Sequence, residues 1–216
     1  INQRRKKNYQ PREREQIMAN FEITFDDNTS ESMHDGYMSF KPKGTQDMEI
    51  PPASFMVKLK DGSKKVVSAI TKKDKGVVLD IHNMKTGWHK FDNGRPVWVF
   101  NDDLKNWKPR PDDEYKQGIS IPVAVGADKM FYWTQSGLSV IECFKHLSGQ
   151  INGKPSDKLP KVYMEKAEPL TFKNGGTVVP KLKVIEWVER PFILEADQDK
   201  NKDTSEAMDL PEDMEF

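Results

Sequence analysis

In the window from residue 85 to residue 133 the chain gathers Trp88, Phe91, Trp98, Phe100, Trp107, Phe131, Tyr132 and Trp133, interleaved with Lys85, Lys90, Arg95, Lys105, Lys108, Arg110, Lys116 and Lys129. Four of the five tryptophans fall there. Flat apolar rings accept nucleic-acid bases that have left a duplex stack, and cations beside the rings neutralise the phosphates joining those bases. Each stacked base is worth about 1–3 kcal/mol whatever its identity, so such a surface holds a strand without reading it. Trp88, Lys90, Phe91, Arg95, Trp98, Trp107, Lys108, Arg110, Phe131 and Trp133 are the candidates for this chemistry. The competing assignment is core. In 95–100 the alternation puts Trp98 and Phe100 on one side and Val97 and Val99 on the other, which is how a strand buried on both faces reads. Phe131 and Trp133 share a face in the same way, with Tyr132 opposite. Trp88, Phe91 and Trp107, in turn-rich polar contexts, are expected outside the core.

A second basic element runs from Lys58 to Lys75, where Lys58, Lys60, Lys64, Lys65, Lys72, Lys73 and Lys75 face only Asp61 and Asp74, a local charge of +5. Lysines decorating a solvated hairpin explain it blandly. A groove wall tracking a phosphate backbone explains it with function, and Lys64, Lys65, Lys72 and Lys73 are its candidates.

Catalytic chemistry finds little support. The histidines at 34, 82, 89 and 146 make no i, i+4 pair, and no phosphate-cradling loop, nucleophile elbow or dinucleotide fingerprint occurs. Asp102, Asp103 and Asp112 could serve a metal-dependent nuclease, yet neighbouring acids on a strand point to opposite faces and those on a loop are usually solvated. Cys143, the only cysteine, rules out an internal disulfide framework and a Cys-based zinc cluster, fits a reducing compartment, and reads as a small buried residue. No catalytic residue, metal or cofactor is expected, and the chain is read as a binding protein and not an enzyme.

The elements that must position these side chains are mostly strands. Segments 36–41, 54–60, 64–71, 76–82, 95–100, 118–125, 129–134 and 181–189 are short or alternating apolar runs bounded by turn residues. Asp61-Gly62 reads as a hairpin turn. One helix is expected over 137–148 with Ser136 as its N-cap, while the segments around Pro109–Pro111 and Pro155–Pro160 read as loops. Many strands and one helix in about 175 residues favour a mainly β fold. The best single choice is a small, partly open five-stranded Greek-key barrel with one helix inserted between strands and long loops, with a jelly roll as the alternative.

The 216 residues are 36% hydrophobic and 31% charged, with 34 basic and 34 acidic side chains. The zero net charge conceals segregation. Residues 1–17 carry Arg4, Arg5, Lys6, Lys7, Arg12 and Arg14 against Glu13 and Glu15, a net +4. From residue 195 to 216 nine acids face Lys200 and Lys202, a net −7, which leaves +3 on the body. The expected organisation is a basic disordered head (1–17), a nucleic-acid-binding body (18–194) and an acidic disordered tail (195–216). Met18 opens a more ordinary-looking start, so the head is as readily an upstream extension as a phosphate-binding arm. No run of about 18 apolar residues exists, which excludes a membrane-spanning helix, and the basic head is followed by no apolar signal region.

The tail mixes Met208, Leu210 and Met214 with its acids and ends in Phe216, whose side chain and carboxylate together form a compact hook for a partner. A basic, aromatic-rich β body followed by an acidic tail with a terminal Phe resembles the single-stranded DNA-binding proteins of bacteria and tailed bacteriophages, the T7-like replication class above all. The resemblance implies an oligonucleotide/oligosaccharide-binding (OB) barrel, sequence-independent binding of single-stranded DNA in replication and recombination, and a cytoplasmic location, in the host if phage-encoded. It also implies a tail that competes with DNA and recruits polymerase, helicase or primase through Asp209, Glu212, Asp213, Glu215 and Phe216. A homodimer is compatible with it, and no membrane partner is expected. Glu215 stands where the bacterial pattern has Pro, and a Gly/Gln-rich linker is missing, both of which point to the phage type; the zinc-containing phage relatives are not matched. The rival expectation is a phage structural or assembly protein, a β-sandwich with an acidic docking tail.

Overall fold

A computed structural model describes residues 34–46, 49–93, 95–154, 157–173 and 175–195. The basic head (1–17) and the tail beyond Glu195 lie outside the described residues, and with them Asp209, Glu212, Asp213, Glu215 and Phe216.

The structure is mainly β, with one long helix and a strongly curled sheet that forms an open half-barrel. The described strands are β1 (Gly36–Lys41), β2 (Ser54–Leu59), β3 (Lys64–Val66), β4 (Val77–Leu79), β5 (Lys85–Asp92), β6 (Arg95–Phe100), β7 (Lys116–Val125), β8 (Lys129–Ser136), β9 (Leu159–Phe172) and β10 (Gly175–Val188), with α1 (Leu138–Ile151) between β8 and β9. Neighbours run β10-β9-β4-β7-β8-β1-β2-β3, and β5 joins β7 with β6 on its outer side. β4 and β5 both pair with β7, at Val123–Ala124 and at Lys116–Ser120 respectively, so they act as one strand interrupted by a turn. Taken as first strand, with β7, β8, β9 and β10 as second to fifth, they give the order fifth-fourth-first-second-third with the helix between third and fourth. That order and helix position are those expected of an OB barrel, here in a sheet left open. The third strand, β8, does not close onto β10. Its free edge takes β1 in parallel.

Local chemistry explains the irregular points. Pro122 sits mid-strand in β7, where a proline would cost a ladder bond. Its carbonyl accepts from Asp80 N–H at 2.9 Å, so its nitrogen faces the break between β4 and β5, where no ladder acceptor goes unmet. The outer edge of β10 is satisfied by α1: Ser139 Oγ donates to the Val178 carbonyl at 2.6 Å, Gln150 Nε2 donates to that of Leu182 at 2.9 Å, and Gln150 Oε1 accepts from Val184 N–H at 3.0 Å. Polar side chains of the helix thus stand where a closing strand would pair.

One face of the sheet carries the main core, in which Met38, Phe40, Phe55, Ile119, Ile121, Val123, Phe131 and Trp133 meet Val140, Cys143 and Leu147 of the helix. Among the described residues the opposite face is covered at one end, where Val78, Ala124, Met130, Leu159 and Leu194 form a second cluster. Burying a large apolar side chain is worth about 1.5–3 kcal/mol, so the two clusters fix which face each strand turns inward.

Several expectations need correction. The segment 64–71 is a strand only to Val66 and continues as a 3₁₀ turn, Ser68–Thr71. The strand at 76–82 stops at Leu79. Pro160 belongs to β9 and not to a loop. Gly137, not Ser136, is the helix N-cap, because Ser136 Oγ is spent on His89 Nδ1 at 2.9 Å. Strands β5 and β9 were not expected at all. No helix among the described residues is long and apolar enough to cross a membrane.

Candidate nucleic-acid interface

Register places the aromatic and basic residues on two different faces. Across β6, β5, β7 and β8 the pairs His89↔Trp98, Gly87↔Phe100, His89↔Lys116, Gly87↔Gly118, Lys85↔Ser120, Gly118↔Ser136 and Ser120↔Thr134 share one face, the one turned away from the main core. Phe91 joins them, since it alternates with Lys90. Trp98 and Phe100 stack with centroids 5.1 Å apart and planes 8° from parallel. His89 lies 4.6 Å from Trp98 and 4.8 Å, edge-on, from Phe91. Phe91 is 69% exposed, which leaves its ring open to a ligand. Lys85 Nζ stands 5.7 Å from the Phe100 ring centre, and exposed Lys116 flanks His89.

This surface is possible because two glycines keep it flat. A Cβ on Gly118 would lie 2.7 Å from Trp98 Cη2, and one on Gly87 would lie 2.4 Å from the Val99 carbonyl oxygen. The indole therefore rests directly on β7. Beside it the floor is hydroxylic, with Ser120 Oγ 3.0 Å from Thr134 Oγ1. Electrostatics agrees with the geometry. Burial, then the charge of Lys116, pushes the His89 pKa below its ordinary value. Lys85 and Lys116 make no salt bridge among the described residues, and no Asp or Glu occupies this face on β5 to β8.

The other face of β5 and β6 is a different site. There residues 101–115 fold back over Trp88, whose Nε1–H donates to the Lys108 carbonyl at 2.8 Å. Trp107 meets Trp88 edge-on at 5.4 Å, and the Arg110 guanidinium stands 5.8 Å from the Trp88 ring centre. Lys90, Lys108 and Arg110 are engaged here. Lys90 binds Asp112 at 2.9 Å and Glu114 at 3.3 Å, which pushes its pKa up to about 12. Lys108 binds Asp102 at 2.6 Å, and Arg110 donates to the Tyr115 carbonyl at 2.9 Å while pairing with Asp113. Asp103 accepts from the backbone N–H groups of Lys105 and Asn106, so Asp102, Asp103 and Asp112 all take part in holding this loop.

The candidates from sequence therefore divide. Phe91 and Trp98 belong to the open face. Trp88, Lys90, Lys108 and Arg110 build the strap, with Trp107 37% exposed at its surface. Phe131 and Trp133, 3% and 0% exposed, are core residues and are withdrawn as stacking partners. Lys64 shares the open face at its far side, where it pairs in register with Lys58, whereas Lys65 alternates to the other face. Lys72 and Lys73 are exposed in the connection before β4, beside the 3₁₀ turn that packs on β9, and so stand apart from the Lys58–Lys64 hairpin. Arg95 opens β6 opposite Asp92, and its side chain lies outside what is described. Sequence reasoning left out Lys85, His89, Phe100 and Lys116 as members of one site. Their common signal is parity with Phe91 and Trp98, which becomes visible only when register is known.

Two further features complete the electrostatics. Cys143 is fully buried and its thiol is pushed up to about 12 by that burial, which removes it as a nucleophile at neutral pH. On β9 and β10 the lysines are paired with acids, Lys161 with Glu186 at 2.8 Å and Lys183 with Glu165 at 3.2 Å, in contrast to the lysines around Trp98. Among the described residues no three His, Cys, Asp or Glu side chains converge as metal ligands. No protein-family model, curated protein or solved structure matches this chain.

Proposed function

We propose that the chain is a sequence-independent single-stranded DNA-binding protein of phage DNA replication or recombination. The observation that carries this reading is the open sheet face on which Phe91, Trp98 and Phe100 lie between Lys85 and Lys116 with no carboxylate among them. Rings take bases, lysines take phosphates, and the hydroxyls of Ser120 and Thr134 line the floor between them for backbone contacts. Its rings stand on the first strand of the OB arrangement and on the strand added outside it, while Lys116, Ser120 and Thr134 belong to the second and third strands, the part of that fold suited to holding oligonucleotides. That last support is an analogy of fold. The paired charges on β9 and β10 support the same reading by contrast, because lysines that only solubilise a sheet are commonly matched with acids.

In this reading the acidic tail acts as a competitor for the lysines and as the handle for polymerase, helicase or primase, with the host cytoplasm as the setting. Titration of a labelled oligothymidylate at two salt concentrations, followed by tryptophan fluorescence, tests it. The expected outcome is binding that weakens steeply with salt, accompanied by quenching. Absence of both would leave the assembly-protein alternative.

A further inference from the structure

The open face does not end at β8. Its parity continues through the parallel pair Tyr37↔Tyr132 to Tyr37↔Lys58 and Lys58↔Lys64, so Tyr37, Ser39 and Lys41 of β1 and Lys58 of β2 lie on the side that carries Trp98. His34 packs against both tyrosines, 5.0 Å from Tyr37 and 5.4 Å, edge-on, from Tyr132. Tyr37 is 54% exposed, second on this face only to Phe91 among the rings. Lys41 has its pKa held down by burial first and by the charge of Lys64 second, which marks cations crowded together. No Asp or Glu occupies this face on β1 to β3.

A second set of rings with its own lysines thus repeats the chemistry of the first. Strands lie about 4.8 Å apart and rise about 3.3 Å per residue, so Trp98 and Tyr37, four strands and six residues apart in register, are separated diagonally along the sheet by roughly 28 Å. Between them run Ser136, Thr134 and Ser120, a hydroxyl-lined saddle.

Resting on the proposed DNA-binding reading, we infer that Tyr37, with His34, Tyr132, Lys41 and Lys58, forms a second subsite, and that one single strand crosses the sheet diagonally to engage both clusters. A duplex does not meet this description, because its bases are not free to stack on either platform. Linking two weak contacts through one ligand raises affinity by effective concentration, but only once the ligand is long enough to span them.

The test is a series of oligothymidylates from about four to about sixteen nucleotides, the range an OB barrel accommodates. It is titrated against the full chain and its Tyr37→Ala, Tyr37→Phe and Lys58→Ala variants. The inference expects an affinity step once the oligonucleotide spans the saddle. Tyr37→Ala should abolish that step with a loss of roughly tenfold or more on long oligonucleotides and little change on the shortest, whereas Tyr37→Phe keeps it. Lys58→Ala should lower the salt slope on long oligonucleotides only. Equal loss at every length, or no loss at any, overturns the inference while leaving the first cluster standing. An effect of Tyr37→Ala that vanishes in a chain ending at Leu194 overturns it too, since the platform would then hold the acidic tail. If the unaltered chain binds no oligonucleotide of any length, the functional reading itself fails.

Discussion

Trp98 lies on Gly118, with 2.7 Å between its Cη2 and the place a Cβ would occupy. That contact couples the stacking platform to the central strand, because Gly118 pairs with Gly87 on one side and Ser136 on the other. Gly118→Ala also meets the Gln135 carbonyl oxygen at 2.8 Å, which is backbone and does not yield as a flexible side chain would. The expected cost is about 1–3 kcal/mol of stability, typical of an overpacked site, together with weakened binding as the indole is lifted. Denaturant unfolding and oligonucleotide titration on the same variant check both.

Phe91→Ala and Trp98→Ala separate binding from folding. Phe91 is 69% exposed, so its loss should leave the unfolding midpoint nearly unchanged while weakening oligothymidylate binding by about 1–3 kcal/mol if one base stacks there. Trp98→Ala should weaken binding comparably and remove most of the fluorescence quenching. The core residue Trp133 behaves oppositely: Trp133→Ala should lose about 3–5 kcal/mol of stability. A quench that survives Trp98→Ala would shift the contact to Trp88 or Trp107.

How much of this was legible in the chain depends on period. β1, β6, β7 and β8 announce themselves by alternation or by a continuous apolar run, and α1 by its spacing, so the mainly β class with a single helix follows from residues alone. β5 does not. Its two faces carry Lys85, Gly87, His89 and Phe91 against Thr86, Trp88, Lys90 and Asp92, with neither side apolar enough to mark a strand. Because β5 sets the register of β6 against β7, missing it hides which aromatics share a face. The strap of residues 101–115 was equally hidden, since pairing of Lys90 with Asp112 joins residues far apart in sequence.

Lys85→Ala and Lys116→Ala should alter electrostatics rather than stacking. Neither forms a salt bridge among the described residues, so each is available to a phosphate. Each loss should reduce the slope of log affinity against log salt by about 0.7 per phosphate contact removed. Lys90→Ala is the control. Its ammonium is held by Asp112 and Glu114, and its removal should loosen the strap with little effect on the slope.

His89 supplies a pH dependence whose sign is fixed by its surroundings. It faces Lys116 across β7 and accepts or donates one hydrogen bond with Ser136, between the rings of Phe91 and Trp98. Burial, then Lys116, lowers its folded pKa, so the unfolded chain binds the proton more readily. Stability should therefore fall as pH drops through about 6.5, the ordinary value, and level off below the folded pKa. A phosphate brought beside His89 favours its charged form, so oligonucleotide binding should take up a proton and strengthen on acidification. His89→Gln should flatten both dependences relative to the unaltered chain, measured by thermal melts and titrations at several pH values.

The acidic tail can be removed without disturbing the anchor that precedes it. Arg190 donates to Asp80, whose side chain is 1% exposed, and contacts His82 Nδ1 at 3.2 Å, while Leu194 packs among Val78, Ala124, Met130 and Leu159. Removing Arg190 should cost about 3–5 kcal/mol by leaving a buried carboxylate unpaired. Ending the chain at Leu194 keeps that pair and that packing, and takes away a net −7 charge. Tyr132, partly buried against the same cluster, also contacts His34 on the open face, so the last anchored residues lie at the border of the lysine-bearing surface. If the tail competes with DNA for those lysines, the shortened chain should bind oligothymidylate more tightly at low salt. The advantage should shrink as salt screens both attractions. Unchanged or weaker binding at low salt would remove the tail as a competitor, and the melting temperature of the shortened chain would show whether the anchor had survived.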